Sequence, residues 1–449
     1  MKYLRILTLF VVTALLLASC EKYLEVDPVD QVNSEDAIVD AASLKSAVFG
    51  IYSTLQLTEL YGTEFVEFGD LQADVSTHSR TYNTWRQMDN NSLMATNLAV
   101  ERIWRNYYIG INRANNVLLN ITELKDQLND EQKLRFSGEA HFLRAFFYFD
   151  LVKCYGGVPL ELEPTGIEDI NNRPTRNSVD DIYGQIFKDL KSAESELAGL
   201  GAETGRVSEY TVKAFLARVN LYRSGIGTAN LQDAIDEATE VIESDLFKLK
   251  DNYKDVWETK HTNESIFELD MTKDDDNAMA FFHFPPALGG RRESRPADEL
   301  IEALDAADER GAFYIGDYDG SPYSKKYFRV DIGDDNVPVI RLSEMYLIRA
   351  EANARLAQNM DLVIDDLNEI RNRANLEDTP ADAYDALILA IEQERMFEFA
   401  FEGHRWFDLV RTNRAIAVLD NVTSMDQYLW PIPQRERDIN SNLSQNPGY

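Results

Sequence analysis

Gly138-Glu-Ala-His-Phe-Leu-Arg-Ala-Phe-Phe-Tyr-Phe-Asp-Leu-Val-Lys-Cys-Tyr-Gly-Gly-Val-Pro-Leu160 carries apolar side chains in a helical rhythm and then breaks off. Counted from Glu131, the apolar residues Leu134, Phe136, Ala140, Leu143, Phe146, Phe147, Leu151 and Val152 recur at spacings near three and four. That period marks an α-helix with a wide buried face and predicts one from Glu131 to Cys154. Gly156, Gly157 and Pro159 end it, because glycine favours the C-terminal cap and proline cannot continue the helical hydrogen bonding.

The same rhythm predicts helices over Val179 to Leu197, Ser208 to Arg223, Leu231 to Ser244, Ser343 to Ala357, Leu362 to Ala374, Ala383 to Glu402 and His404 to Asn413. Most lie in pairs with short connections. Several share a local pattern of a small or apolar residue, an arginine, then Ala or Val: Leu143-Arg144-Ala145, Ala217-Arg218-Val219 and Ile348-Arg349-Ala350. In the first two, Ala140 and Ala214 precede the arginine by one helical turn, and Tyr148 and Tyr222 follow it by one. Small residues at fixed helical phase let paired helices approach closely, as in tetratricopeptide-type solenoids, though the spacing between copies is not constant. The expected class is predominantly all-α. No Pro/Ser/Gly-rich linker divides the chain, so one continuous architecture is expected over residues 20–449, with the helical scaffold mainly in 100–245 and 341–415.

Two stretches lack the helical rhythm, residues 57–98 and 247–340. They hold Tyr61, Tyr82, Trp85, Phe281, Phe282, His283, Arg291, Arg292, Tyr314, Tyr318 and Tyr323 among Gly, Asp and Pro residues that signal loops. Loops carried by a rigid scaffold are the usual seat of binding, so this loop-rich face is the candidate ligand region.

At the N-terminus, Lys2 and Arg5 precede an apolar stretch of thirteen residues, Ile6 to Ala18, which stops at Leu17-Ala-Ser-Cys20. Thirteen is too few for a bilayer core, which takes about 20 residues of helix, so residues 1–19 read as a secretory signal. The stop resembles the lipobox of bacterial lipoproteins, which makes Cys20 the expected lipidated first residue of the mature chain. Several acyl chains would hold a soluble domain firmly on a membrane. The formal net charge of −32 becomes −34 once Lys2 and Arg5 leave, and that balance repels nucleic acid. Besides Cys20 the chain has only Cys154, so stability must come from a large core rather than from disulfides.

The 138–160 stretch resembles the long helix and exit turn of the SusD/RagB family of outer-membrane lipoproteins from Bacteroidetes. Further matching stretches are Arg341-Leu-Ser-Glu-Met-Tyr-Leu-Ile-Arg-Ala-Glu-Ala352, Phe401-Glu-Gly-His-Arg-Trp-Phe-Asp-Leu-Val-Arg411, Leu429-Trp-Pro-Ile-Pro-Gln434 and Gln445-Asn-Pro-Gly-Tyr449. The resemblance is ordered and runs from Cys20 to the terminus. It implies four tetratricopeptide-like units under a variable loop-rich face, and a protein that binds an oligosaccharide, or in some members a peptide, without catalysis. It also implies a place on the outer membrane at the cell surface, held by the lipid, capping a SusC-like TonB-dependent β-barrel transporter. Its motifs identify scaffold and not ligand.

On the loop-rich face, an aromatic ring can stack on the apolar face of a sugar while Arg, Asp and Asn bond its hydroxyls. Trp85 is the first candidate, because Thr81-Tyr-Asn-Thr-Trp-Arg86 is polar and has no stripe to bury it. Tyr82, Arg80 and Arg86 join it by proximity, and Phe281, Phe282, Arg291, Tyr314 and Tyr318 come from the second region. Trp104, Trp406 and Trp430 fall in helical or scaffold motifs and are expected in the core.

Catalytic signatures are lacking: there is no Gly-x-Ser-x-Gly, Gly-Lys-Ser/Thr, Gly-x-Gly-x-x-Gly or His-Glu-x-x-His. Glu394, Glu398 and Glu402 lie one turn apart near Arg395, His404 and Arg405, a pattern read as an ion-pair network rather than a metal site, and His404 as structural. The run Asp274-Asp-Asp276 beside Asn277 lacks the spacing of a calcium loop and reads as solvated acid. No metal or cofactor is expected. Two other functions stay open at this level: a glycoside hydrolase using two of the 77 acidic residues, and a tetratricopeptide-like adaptor binding protein partners.

Overall fold

The computed structural model describes residues 37–166, 172–225 and 227–449. Cys20 and its leader lie outside the described residues. Helices make up 54% of the structure against roughly a third in an average globular chain, and the strands are few and short, so the chain is predominantly all-α.

The scaffold begins with α1 (Ala41–Leu55), α2 (Glu64–Leu71), α3 (Asn83–Asp89), α4 (Leu98–Glu123) and α5 (Asp130–Tyr155). It continues with α6 (Val179–Leu197), α7 (Glu209–Ser224) and α8 (Leu231–Glu243), then resumes after the loop-rich region with α9 (Leu342–Arg355), α10 (Met360–Arg373), α11 (Tyr384–Glu398) and α12 (Arg405–Arg411). Their starts are set by short polar side chains. Asn129, Ser178 and Ser208 each accept from the backbone amide three residues on, in reciprocal capping boxes with Gln132, Asp181 and Thr211. Successive helices pack on one another: α4 on α5, α5 on α6, α7 on α8, α8 on α9, and α9 on both α10 and α11.

Helix α5 lies at the centre. From Phe142 to Tyr155 every residue except Lys153 is buried, so its rhythm reflects a helix surrounded on all sides. Its end is latched by the C-terminal motifs. The Trp430 amide donates to the Cys154 carbonyl at 2.6 Å, and Asn446 Nδ2 donates to the carbonyls of Tyr155 (3.0 Å) and Trp430 (2.7 Å). Trp104, Trp406 and Trp430 are buried, as their motifs predict.

The recurrent arginine has a structural meaning that spacing alone did not show. Arg144 on α5 forms a two-pronged pair with Asp189 on α6 (2.9 and 2.7 Å), Arg218 on α7 with Glu344 on α9 (2.7 and 2.5 Å), and Arg349 on α9 with Asp366 on α10 (2.9 and 2.7 Å). All six side chains are buried, so each helix is clamped to another through a desolvated fork. Arg395 on α11 does the same to Asp408 on α12 outside the pattern.

The expected boundaries hold to within a few residues except at α11, which ends at Glu398 rather than Glu402. Phe401 and Gly403 take positive φ angles of 65° and 78°, which no α-helix accommodates. Gly403 also meets α2 backbone to backbone: a Cβ on Gly69 would lie 2.2 Å from the Gly403 carbonyl oxygen. The region 57–98 differs more. It contains α2, whose eight residues are all buried, and α3; each is too short to display a helical period.

Residues 247–340 carry only short helices and strands. Three two-stranded antiparallel ladders organise the described residues: β1 (Ser76–His78) with β3 (Ser294–Pro296), β2 (Ser265–Leu269) with β6 (Val337–Arg341), and the hairpin of β4 (Ile315–Tyr318) and β5 (Ser321–Ser324). The first ladder pairs Ser76 with Pro296 and His78 with Ser294, which brings the two loop-rich regions together.

Removing one half of a buried fork leaves a charge stranded. Arg349→Leu is expected to lower unfolding free energy by about 3–5 kcal/mol, and adding Asp366→Leu to restore most of it. Urea denaturation of the two variants checks this.

Candidate functional site

Beyond β1 the chain stays on its partner segment: the Ser79 amide donates to the Glu293 carbonyl (2.8 Å) and Ser79 Oγ to the Arg292 carbonyl (2.6 Å). The Glu293 side chain, fully buried, completes the join. Its Oε1 accepts from the amides of Thr81 (2.8 Å) and Tyr82 (2.6 Å) and lies 3.2 Å from His78 Nε2, while Oε2 accepts from Arg291 Nε (2.9 Å). Burial pushes this carboxyl up, but the two amides, Arg291 and His78 outweigh it and leave it below the ordinary carboxylate range. Glu293 therefore holds the turn into α3 in place.

That turn presents Tyr82. The Arg291 guanidinium lies over the Tyr82 ring, 4.2 Å from its centroid, with Nη2 donating to Thr81 Oγ1 at 3.3 Å. The Tyr82 ring meets Trp85 and Phe282, each at 6.2 Å between centroids; Trp85 meets Phe282 at 5.1 Å, and Phe282 meets Phe281 at 5.3 Å. Tyr82 and Phe281 are 36% and 41% exposed, so the cluster shows two rings to solvent above a packed base. The short helix Met279–His283 beneath Phe281 is anchored by a buried pair, His283 Nε2 with Glu67 Oε2 of α2 at 2.6 Å.

Five of the nine residues expected from sequence thus meet in one place: Tyr82, Trp85, Phe281, Phe282 and Arg291. Trp85 differs from expectation in its setting. It lies on α3 and is 1% exposed, packed edge-on against Phe68 at 5.7 Å, with Nε1 donating to Glu64 at 3.4 Å, so it supports the platform from below. The segment is polar, yet one turn of helix rotates this ring inward. Tyr314 is likewise no surface residue: it is fully buried, with its hydroxyl donating to the Phe397 carbonyl at 3.3 Å. Arg80 and Arg86 are exposed on the flank, and Arg86 donates to Asn83 at 2.6 Å. Tyr318 is exposed beside the β4–β5 turn, and none of the ring contacts joins it to the platform. The hairpin reaches the site instead through the Pro322 carbonyl, which accepts from Arg292 at 3.1 Å.

Glu293 and His78 escape sequence reading, and His283, which the sequence places in the loop-rich region, carries no local signal of its anchoring role. The one available signal was Glu293 itself, a lone acid amid Arg291, Arg292 and Arg295.

Glu394, Glu398 and Glu402 do form an ion-pair network, but with partners remote in sequence. Glu394 pairs with Arg310 (2.6 Å), Glu398 with Arg310, Arg341 and Arg373, and Glu402 with Lys326 (2.6 Å) and Arg341 (2.8 Å). Arg395 and Arg405 turn instead to Asp408 and Asp74. His404 stacks on Phe399 at 4.8 Å, where burial holds its ring well below the usual histidine range. Among the described residues, no group of three His, Cys, Asp or Glu side chains is arranged to hold a metal. No described helix is long and apolar enough to cross a membrane.

With this architecture in place, known proteins supply the class. A model described as the SusD family matches residues 319–419 and 412–449, and one described as starch-binding, associating with outer membrane, matches residues 22–221. The chain is 28% identical to SusD-like protein P38 of Formosa agariphila, over all of this chain and 99% of that one. It is 36% identical to the starch-binding protein SusD of Bacteroides thetaiotaomicron over 213 residues, 44% of this chain and 35% of that one. Among solved structures, a laminarin-binding SusD-like protein superposes with a TM-score of 0.81 at 26% identity, covering 92% of this chain and all of that one. A SusD superfamily protein from Bacteroides vulgatus gives 0.82 at 21% identity, covering 91% and 99%. The chain belongs to the SusD/RagB family.

Replacing Glu293 by Gln leaves one acceptor oxygen where two were used. At pH 7, Glu293→Gln is expected to cost about 1–3 kcal/mol of unfolding free energy. Because the folded carboxyl sits below its ordinary value, the stability it contributes is present above that value and lost as pH falls through the lowered one, so the gap between wild type and variant narrows in acid. Urea titrations at neutral and acid pH measure it.

Proposed function

We propose that this chain is an outer-membrane lipoprotein, anchored through Cys20 and exposed at the cell surface, that binds an oligosaccharide on the Tyr82–Phe281 platform. It delivers that ligand to a TonB-dependent β-barrel transporter whose mouth it caps. The observation that carries the reading is the pair of exposed rings packed over buried Trp85 and half-buried Phe282, with Arg291 lying over one of them. Rings presented this way stack on the apolar face of a sugar, and an adjacent guanidinium bonds its oxygens.

Exposed rings of this kind suit one face of a chain-like ligand. A cavity of about 440 Å³ elsewhere, among α9, α11 and α12, is a weaker candidate. Two of its arginines are already matched, Arg411 to Glu351 and Arg414 to Glu392. The description of the matching N-terminal family model and the laminarin-binding neighbour favour a glycan and an outer-membrane setting. Binding without catalysis is the role assigned here. Tyr82, Phe281 and Arg291 touch ligand in this reading, Arg80 and Arg86 flank it, Phe282 and Trp85 hold the base, and Tyr318 stays outside.

Tyr82→Ala is expected to weaken binding of the cognate glycan by about 1–3 kcal/mol while the protein stays folded, by the measure of aromatic hot spots. Trp85→Ala is expected to act on stability instead, by about 3–5 kcal/mol, as truncation of a buried aromatic does. Calorimetric titration and thermal unfolding of both variants separate the two roles; unchanged affinity in folded Tyr82→Ala protein removes the platform from the site.

A further inference from the structure

We infer that the ligand of the Tyr82–Phe281 platform is an anionic glycan, one bearing carboxylates or sulfate esters along its chain. The inference rests on the glycan-binding reading above and narrows it to a substrate class. Its basis is a reversal of charge. The whole chain carries a formal −32, yet the two segments that build the platform, residues 79–89 and 281–298, contain five arginines, Arg80, Arg86, Arg291, Arg292 and Arg295, against three acids, Asp89, Glu293 and Asp298.

Glu293 is unavailable to a ligand, being buried and bonded to two amides and Arg291. Several neighbouring acids are engaged as well. Glu64 holds Arg102 at 2.9 Å, Asp298 holds Arg295 at 2.8 Å, and Asp317 accepts from the Gly320 amide at 3.1 Å. Half-buried Asp89 is bonded to the His78 amide and the Thr77 hydroxyl. None of the described salt bridges involves Arg80 or Arg86, and both are exposed. Arg291 uses Nε and Nη2 within the protein, which directs its guanidinium beside the Tyr82 ring.

In an acidic protein, exposed arginines find carboxylates easily, so arginines left without them around two solvent-facing rings form a surface set for incoming anions. The guanidinium fork matches the paired oxygens of a carboxylate or a sulfate. The general field of the molecule repels anions, so the local cluster has to supply the attraction at short range, where it is sensitive to salt.

The test uses the full-length chain in mild detergent, titrated calorimetrically with polygalacturonate, with a sulfated galactan, and with two neutral glucans, laminarin and starch. The expected result is binding of at least one anionic polymer about tenfold or more tighter than either neutral glucan, weakening steeply as salt rises from about 50 to 300 mM. Preference for polygalacturonate names carboxylate as the recognised group, and preference for the sulfated galactan names sulfate ester. The exposed pair Arg80→Gln/Arg86→Gln is expected to lose about tenfold in affinity for that polymer with an unchanged melting temperature. Equal or tighter binding of a neutral glucan, dependent on Tyr82 and indifferent to salt, overturns the anionic assignment and leaves the glycan-binding reading standing. Anionic binding untouched by the double substitution also overturns it. Failure of all four polymers to bind counts against the glycan-binding reading itself.

Discussion

The structure depends on buried arginine forks. A helix pair packed by apolar contact alone can slide or rotate by small steps at little cost, whereas a desolvated guanidinium requires both carboxylate oxygens at a fixed distance and angle. Arg144 with Asp189, Arg218 with Glu344, Arg349 with Asp366 and Arg395 with Asp408 impose that requirement on four helix pairs in turn. The junction at Arg341 extends the device beyond the helices, joining Glu264 before β2, Glu398 at the end of α11 and Glu402 in the following turn. Such pairs add little net stability over apolar replacements, but each is costly to break, which favours a single register.

Rigidity below is what allows precision above. The loop-rich regions have little regular structure of their own, and their shape comes from what they are attached to. The β1–β3 ladder, the Glu293 carboxylate and the His283–Glu67 pair tie residues 76–85 and 281–296 to each other and to α2. Helix α2 is in turn held by its backbone approach to Gly403, at the exit of the arginine network. An exposed ring fixed in this way loses little further freedom when it meets a ligand, which is the physical advantage of a preorganised site.

Charge separates the two roles. In the scaffold, acids and arginines are matched and buried, and the excess of acid lies at the surface. At the platform the balance reverses, with Arg80 and Arg86 left in solvent and Glu293 turned inward. A chain with that distribution repels anionic material broadly, and the anionic-glycan proposal places its exception at the platform.

The helical class, most helix boundaries, the buried Trp104, Trp406 and Trp430 and the family were legible in the chain, because periodicity and local caps are properties of neighbouring residues. The arginine pattern was legible as a repeat but not as a clamp, since Asp189, Glu344 and Asp366 lie at unequal separations from their partners. Two regions and most of the aromatic residues of the candidate site were legible too. Which of them face outward was not: one turn of helix buries Trp85, and the core claims Tyr314. Glu293 could not be singled out by any local rule, because its role is to join segments more than two hundred residues apart. Helices, caps and family membership follow from neighbouring residues along the chain; which rings and arginines stand together follows from the fold alone, because it depends on contacts between residues remote in sequence.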